Sequence, residues 1–187
     1  MKYEALIQAA LDCGASKAVI IDSDSIVMSE EVRKMCAANR CGLYGKCWVC
    51  PPDVGPIEET MATLRRFPRG LWYQRYSDLE DSFDFEGMQE GGRMHSEKSR
   101  RLDEALKEEG YAGFLHLSKG GCGVCHPCAK AAGEPCRFPE KALSSLEAYG
   151  VNVSMTAKNA GMKYINGVNT VTYFGLILFK ENDLCLT

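Results

Sequence analysis

Apolar residues recur along the chain at spacings that predict helices and strands in alternation. Residues 4–13 carry them at helical spacing and are followed by Gly14, so an amphipathic helix is predicted there. Residues 17–22 form a short apolar run suited to a buried strand. The predicted chain therefore begins with a helix and a strand.

The middle of the chain continues this pattern. A short helix is predicted from the capping residue Ser29 to residue 36, and a charged helix is predicted over residues 96–109, ending at Gly110. Periodicity further predicts a helix over 57–67 and strands over 70–76 and 111–117. Residues 77–93 are acidic, and their beginning is predicted to be irregular.

The last third holds the strongest strand signal. Residues 170–179 are long, β-branched, aromatic and apolar on both faces, which predicts a central strand. Before it, helices are predicted over 139–149, with Pro139 in the first turn, and over 154–160, and Asn166-Gly167 is predicted to be a turn.

These elements predict an α/β (α+β) fold with a mixed sheet of about four strands and flanking helices, and two cysteine-rich loops, whose cysteine spacing indicates a metal-binding role, lie between them. The length of 187 residues suits one ordinary domain, and we find no repeat or linker. The chain is therefore predicted to be a single metal-binding domain over residues 1–187, with cysteine loops at about 36–52 and 121–138.

Composition narrows the possible functions. The net charge of -3 gives no reason to expect nucleic-acid binding. No apolar run approaches a membrane span of about 20 residues, and acidic residues interrupt what would have to be an apolar signal core at the start. A cytoplasmic protein without nucleic-acid or membrane partners is predicted.

Ten cysteines are unusual for such a protein. Because cytosolic thiols are kept reduced, the expected use is metal binding or redox chemistry rather than a disulfide framework. Cys13 and Cys185 lie near opposite ends of the chain and far from partner spacing, so they are expected to be structural or incidental.

The most specific motif is C-x2-C-x2-C-x7-C, formed by Cys122, Cys125, Cys128 and Cys136. It is similar to the tripod of bacterial ferredoxins, in which three thiolates of one loop and a remote cysteine hold a 4Fe-4S cluster. A four-cysteine zinc site is the alternative, although zinc sites normally take C-x2-C pairs from two separated places. Free thiols are the third interpretation.

A second group consists of Cys36, Cys41, Cys47 and Cys50, and Cys50 precedes two prolines as the last ligand of a ferredoxin motif does. Cys36 or Cys47 could instead be a buried small apolar side chain. Both cysteine regions are locally basic in an acidic protein, which suits anionic metal-thiolate centres of either metal. His126, between two cysteines, is expected at the surface or around the ligands.

Two long stretches, CGLYGKCWVCPP and CGVCHPCAKAAGEPCRFPEKALSSLEAYGVNVSMTAKNAGM, resemble the family called predicted metal-binding protein, domain of unknown function 2284. The resemblance covers nearly the whole chain. It implies a metal centre, iron-sulfur in type, in organisms that are often anaerobic. Its pattern falls on Cys36, Cys41, Cys50, Cys122, Cys125, Cys128 and Cys136, and it does not require a cysteine at position 47.

The function predicted from the sequence is therefore binding of one or two 4Fe-4S clusters for electron transfer or redox support of a partner protein. One alternative is a zinc-stabilised structural or binding module. Another is an iron-sulfur oxidoreductase whose first cysteine group leaves an iron open to substrate. No catalytic residue can be named from the sequence.

Overall fold

A mixed sheet runs through the centre of the protein. The computed structural model describes residues 2–181, and five strands within this range form the sheet in the order β1-β2-β5-β3-β4. All neighbours pair antiparallel except β3 and β4, which are parallel. The strands are β1 (Lys17–Asp22), β2 (Arg69–Asp78), β3 (Leu115–Ser118), β4 (Ser144–Ser145) and β5 (Thr170–Phe179). The predicted α+β class is confirmed, with one short strand more than expected.

The described residues contain five α-helices, which cover the sheet on both faces. They are α1 (Lys2–Asp12), α2 (Glu30–Ala37), α3 (Ile57–Leu64), α4 (Phe85–Glu108) and α5 (Val153–Asn159). Short 3-10 turns lie at Ser23–Ser25, Ala129–Ala132, Pro139–Lys141 and Glu147–Tyr149. None of the helices in this range is both long and apolar enough to cross a membrane.

Strand β5 is central, as predicted. It pairs with all ten residues of β2 on one side and with β3 on the other. Its second half is buried on both faces because α1 and α4 cover one face, while α3 and α5 cover the other. Leu176 and Leu178 face one of these cores, and Ile177 and Phe179 face the other.

A glycine in β5 lets an aromatic ring cross the sheet face towards α4. A side chain at Gly175 would collide with the ring of Tyr73, its antiparallel partner in β2. The absence of that side chain leaves room for the ring, and the Tyr73 hydroxyl lies 2.7 Å from Ser99 Oγ on α4.

Two predicted helices differ from the structure. The helix predicted over 139–149 is wrong: two 3-10 turns occupy its ends and β4 lies between them. Tertiary contacts explain this, because Ser144 donates to the Val49 carbonyl oxygen and Ser145 accepts from the Ala148 N–H. Helix α4 begins at Phe85, well before residue 96, because the Asp84 side chain caps it by accepting from the Gly87 N–H.

Candidate metal centre

The two cysteine groups lie on segments that connect strands of the sheet, one between β1 and β2 and the other between β3 and β4. Cys36 is in the last turn of α2, and the rest of its group follows before α3. Positive φ at Gly120 and Gly123 lets the chain turn sharply on both sides of Cys122. Both segments are largely irregular, as expected of loops that wrap a small inorganic group.

The fold packs these segments against each other. Trp48 Nε1 donates to the Glu134 carbonyl oxygen over 2.9 Å. The Lys130 ammonium lies 2.5 Å from Asp53 Oδ1 and 4.0 Å from the centre of the Trp48 ring. Leu43 occupies the space that a side chain at Gly121 would need. Residues more than 70 positions apart in sequence therefore form one surface.

Cys47 is the cysteine that joins the two groups. It is 3% exposed, and its sulfur interacts by hydrogen bonding with the thiols of Cys50 and Cys128. The hydrogen bond from Cys50 lowers the pKa of Cys47, and the same bond raises the pKa of Cys50. Of this pair, Cys47 is the one disposed to be a thiolate.

Backbone N–H groups point at the sulfurs. Cys47 Sγ accepts from the N–H groups of Cys122 and Val49, and Cys122 Sγ accepts from the Val124 N–H. Such N–H to sulfur hydrogen bonds stabilise thiolate charge and tune metal-thiolate centres. The local backbone is thus arranged for anionic sulfur at these positions.

The remaining cysteines of the first group act on Cys50 electrostatically. The charges of Cys47, Cys41 and Cys36 add to the rise in the pKa of Cys50, after the hydrogen bond with Cys47 and burial. Cys41 is exposed, Cys36 is half-buried and Cys50 is 7% exposed. Cys47 therefore interacts with Cys50 of its own group as well as with Cys128 of the second group.

In the second group, the four cysteines Cys122, Cys125, Cys128 and Cys136 are all half-buried. None of the nine described cysteines forms a disulfide. Cys13 is packed in the core beneath α1 and α4, away from both groups, as its expected structural role requires. Cys185 lies outside the described residues.

Several of the basic residues expected to balance a metal centre have other partners. Lys130 pairs with Asp53, and Arg137 lies 2.6 Å from Glu134. Arg33 donates to the backbone carbonyl oxygens of Ala148 and Gly55. The cation that does contact a cysteine segment is Arg100 of α4, whose Nη1 donates to the Cys122 carbonyl oxygen over 3.1 Å.

Sequence reasoning missed the contribution of α4. Gln89, Arg93, Ser96 and Arg100 line a cavity of about 420 Å³ together with Lys119 and the second cysteine segment. These residues are four, three and four positions apart, so they lie on one face of the helix. That shared face could have been recognised in the sequence if the helix had been predicted to begin at Phe85. His126 is exposed at the rim of this cavity.

A separate polar cluster lies buried between α4 and the sheet. His116 Nδ1 donates to Asp103 Oδ1 over 3.1 Å, and His116 Nε2 lies 2.7 Å from the Tyr73 hydroxyl. Burial lowers the pKa of His116, so this ring is neutral at pH 7. Ser118 donates to Ser99 Oγ over 3.0 Å and extends the cluster. We refer to these five residues as the buried network.

The donor groups that the two segments supply are sulfur atoms. Within residues 2–181, no three His, Cys, Asp or Glu side chains are gathered closely enough to hold one metal ion. The thiols and the N–H groups that bond to them suit a metal-thiolate centre, whether zinc or iron-sulfur.

The fold and this site define a class: an α+β protein with two cysteine-bearing segments brought together beside one helix. Residues 19–179 match the model of the family described as predicted metal-binding protein (DUF2284). The chain belongs to that family, which confirms the resemblance seen in the sequence, and a metal-binding role is consistent with it. No curated protein and no solved structure matches the chain.

Proposed function

We propose that the chain is a cytoplasmic iron-sulfur protein that binds one or two 4Fe-4S clusters and serves electron transfer or redox support of a partner protein. The observation that carries this proposal is the packing of two cysteine-bearing segments against each other, with the Cys47 thiol hydrogen-bonded to those of Cys50 and Cys128. The number of unpaired thiols also supports a reducing compartment.

For the second segment, the proposed ligands are Cys122, Cys125 and Cys128. The motif favours Cys136 as the fourth ligand, whereas the contacts of Cys47 with the Cys128 thiol and the Cys122 N–H favour Cys47. Cys36, Cys41 and Cys50 remain for a first centre. Assigning Cys47 to the second segment would leave that first centre with three protein thiolates.

The protein would hold such a centre, shield it and set its potential. When bound, a 4Fe-4S cluster supplies one-electron redox chemistry. The N–H groups of Cys122, Val49 and Val124 stabilise thiolate charge, and the burial of Cys47 and Cys50 limits access of water to that side. These effects adjust a reduction potential without any catalytic side chain.

A zinc-stabilised module is the competing function, although zinc sites normally take C-x2-C pairs from two separated places. Anaerobic purification followed by iron, sulfide and zinc analysis tests the choice. We expect iron and acid-labile sulfide in equal amounts, and a broad visible absorption that bleaches on reduction. A colourless protein that contains zinc and no sulfide would contradict the proposal.

The fourth ligand is tested with a matched pair of variants, Cys47→Ser and Cys136→Ser. If Cys47 completes the second centre, Cys47→Ser lowers the iron content and Cys136→Ser does not. If Cys136 completes it, Cys136→Ser lowers the iron content, and Cys47→Ser lowers it as well only where Cys47 is a ligand of the first centre. Cys13→Ser is the control, since Cys13 is packed in the core away from both groups.

A second candidate function is an iron-sulfur enzyme in which an iron is open to substrate. It is favoured by one observation: a cavity lined by cations opens directly beside Cys47, Cys122, Cys125 and Cys128. An electron-transfer protein does not need such a cavity.

A further inference from the structure

The cavity beside the cysteines extends well beyond them. One wall is the face of α4 from Gln89 to Arg100, and the opposite wall is the segment from Gly121 to Cys128. At 1.5 Å per residue, the α4 wall is about 16 Å long. Arg100, at one end of that wall, bonds to the Cys122 carbonyl oxygen, so the groove continues past Cys122 towards Gln89. Its volume of about 420 Å³ includes the space beside Cys47, Cys122, Cys125 and Cys128 and is in the range of small-molecule sites.

The groove is cationic. Four basic side chains line it, and none of its described lining residues is acidic. The four are Lys46, Arg93, Arg100 and Lys119. Arg93 is already paired with Glu90 and Glu97 at 2.7 and 3.1 Å. No ion pair is formed by the other three with any described residue, so a local excess of positive charge faces the groove.

Lys119 lines the groove with no carboxylate at ion-pair distance among the described residues. It is half-buried, and its ammonium lies over the Tyr173 ring at 5.6 Å from the ring centre. Burial lowers the pKa of Lys119, Arg100 lowers it further, and Glu147 opposes them. Glu147 compensates weakly because burial raises the pKa of its own carboxyl group. A buried ammonium in this setting is stabilised by an oxyanion.

Gly92 of α4 leaves room for the Lys119 side chain. A side chain at Gly92 would lie 2.9 Å from Lys119 Nζ and 3.2 Å from the Tyr173 hydroxyl. Glycine in the interior of a helix costs about 1 kcal/mol relative to alanine. Gly92 thus gives up helix stability and leaves space for the ammonium at the groove.

We propose that this groove binds a small organic molecule bearing a carboxylate or phosphate group, which Lys119 and Arg100 hold by charge-assisted hydrogen bonds beside the metal centre. Guanidinium and ammonium groups are the side chains that bind such oxyanions. The apolar side chains of Leu43 and Val124 line the same groove and suit the carbon part of the molecule. The placement beside a metal rests on the proposed function, whereas the oxyanion contacts do not.

The test is calorimetric titration of the anaerobically purified full chain, whose metal content is measured in the same sample. The probes are inorganic phosphate and succinate, with glycerol as the neutral control. We expect saturable binding of at least one anion and none of glycerol. In Lys119→Met the affinity should fall at least about tenfold, because a charge-assisted hydrogen bond is lost. Lys98→Met, on another face of α4, should leave it unchanged.

Three outcomes would overturn the inference: no anion binding, equal affinity in Lys119→Met and the parent, or a loss of metal in Lys119→Met with unchanged affinity. The last would mean that Lys119 balances the metal centre instead. Metal-loaded protein that binds neither anion refutes the anion site and leaves the proposed function standing. Protein that contains no metal but binds phosphate through Lys119 supports the anion site and contradicts the proposed function.

Discussion

Helix α4 contacts two polar clusters that differ in how completely their groups are paired. In the buried network, Tyr73 lies within hydrogen-bond distance of both Ser99 and His116, and the His116 ring is held at both nitrogens. Asp103 is bonded by His116 and by Lys107. Along the cysteine groove, by contrast, thiols lie close to one another and Lys119 has no carboxylate partner among the described residues.

This difference distinguishes polar groups that stabilise the fold from polar groups that are available to a ligand. Buried polar groups are tolerated when they satisfy each other, and such a network specifies packing without needing a ligand. Groups held near a cavity without partners mark a candidate binding site. The buried network resembles a catalytic array in composition, but all five of its members are buried, whereas the cysteine groove is open to solvent.

The largest expected effect is on metal binding. Cys125→Ser removes one arm of the predicted tripod, so we expect loss of the entire metal content of the second centre. Iron and sulfide analysis measures this loss, and Cys13→Ser is the control. Full metal content in Cys125→Ser would show that the motif is not the ligand set.

A large effect on stability, without an effect on metal, is expected in the buried network. Asp103→Leu leaves His116 Nδ1 without a partner and removes the ion pair with Lys107. Breaking a buried pair in this way lowers the free energy of unfolding by about 3 kcal/mol. Urea unfolding measures the change, and Glu104→Leu, which breaks only an exposed pair with Lys141, is the control. Loss of metal from folded Asp103→Leu protein would contradict the expectation that the buried network acts on stability alone.

A smaller effect is expected from pH. Burial lowers the pKa of His95 to about 3 and also lowers that of His116. Both rings titrate near 6.5 when the chain is unfolded. Below about pH 6.5 the unfolded state therefore binds more protons than the folded state. The stability that the two neutral histidines contribute is present above that pH and is lost as the pH falls.

The slope is about 1.4 kcal/mol per pH unit for each histidine once the unfolded ring is protonated. Replacing His95 by glutamine, which can still donate to the Phe174 carbonyl oxygen, should reduce the slope between pH 6 and 5 by that of one histidine. Urea unfolding at each pH measures the slope. An unchanged slope would mean that His95 is not held neutral by the fold.

The smallest expected effect on stability is that of Gly92→Ala. The helix gains up to about 1 kcal/mol of propensity, but the new methyl group displaces the Lys119 ammonium. Net stability should change by less than about 1 kcal/mol, while phosphate binding weakens. Gly91→Ala is the control because its methyl group would meet Val171, Ser77 and Tyr173 rather than Lys119. Equal phosphate affinity in both variants would contradict the role of Lys119.

Local sequence was sufficient where one residue type or one period dominates. Strand β1 and the central strand β5 were predicted with the bounds that the structure shows, because both are rich in β-branched and apolar residues. The prediction that β1 is buried was wrong: β1 lies at the edge of the sheet, and Ile21 is its one buried residue. Ser29 was predicted to cap α2 from its residue type, and the structure confirms it. The Ser29 side chain accepts a hydrogen bond from the Glu31 N–H, only two positions away, so this interaction is local in sequence. The family membership could also be read from the sequence, since long cysteine motifs leave few alternatives.

Only the tertiary structure decided which parts of the two cysteine segments meet and what lies beside them. Spacing placed Cys47 with Cys36, Cys41 and Cys50, and the fold adds contacts of Cys47 with Cys122 and Cys128 to its contact with Cys50. The groove face of α4 and the isolation of Lys119 likewise depend on contacts between residues distant in sequence. Periodicity describes which face of an element is buried, but the neighbour across that face is chosen by packing of the whole chain.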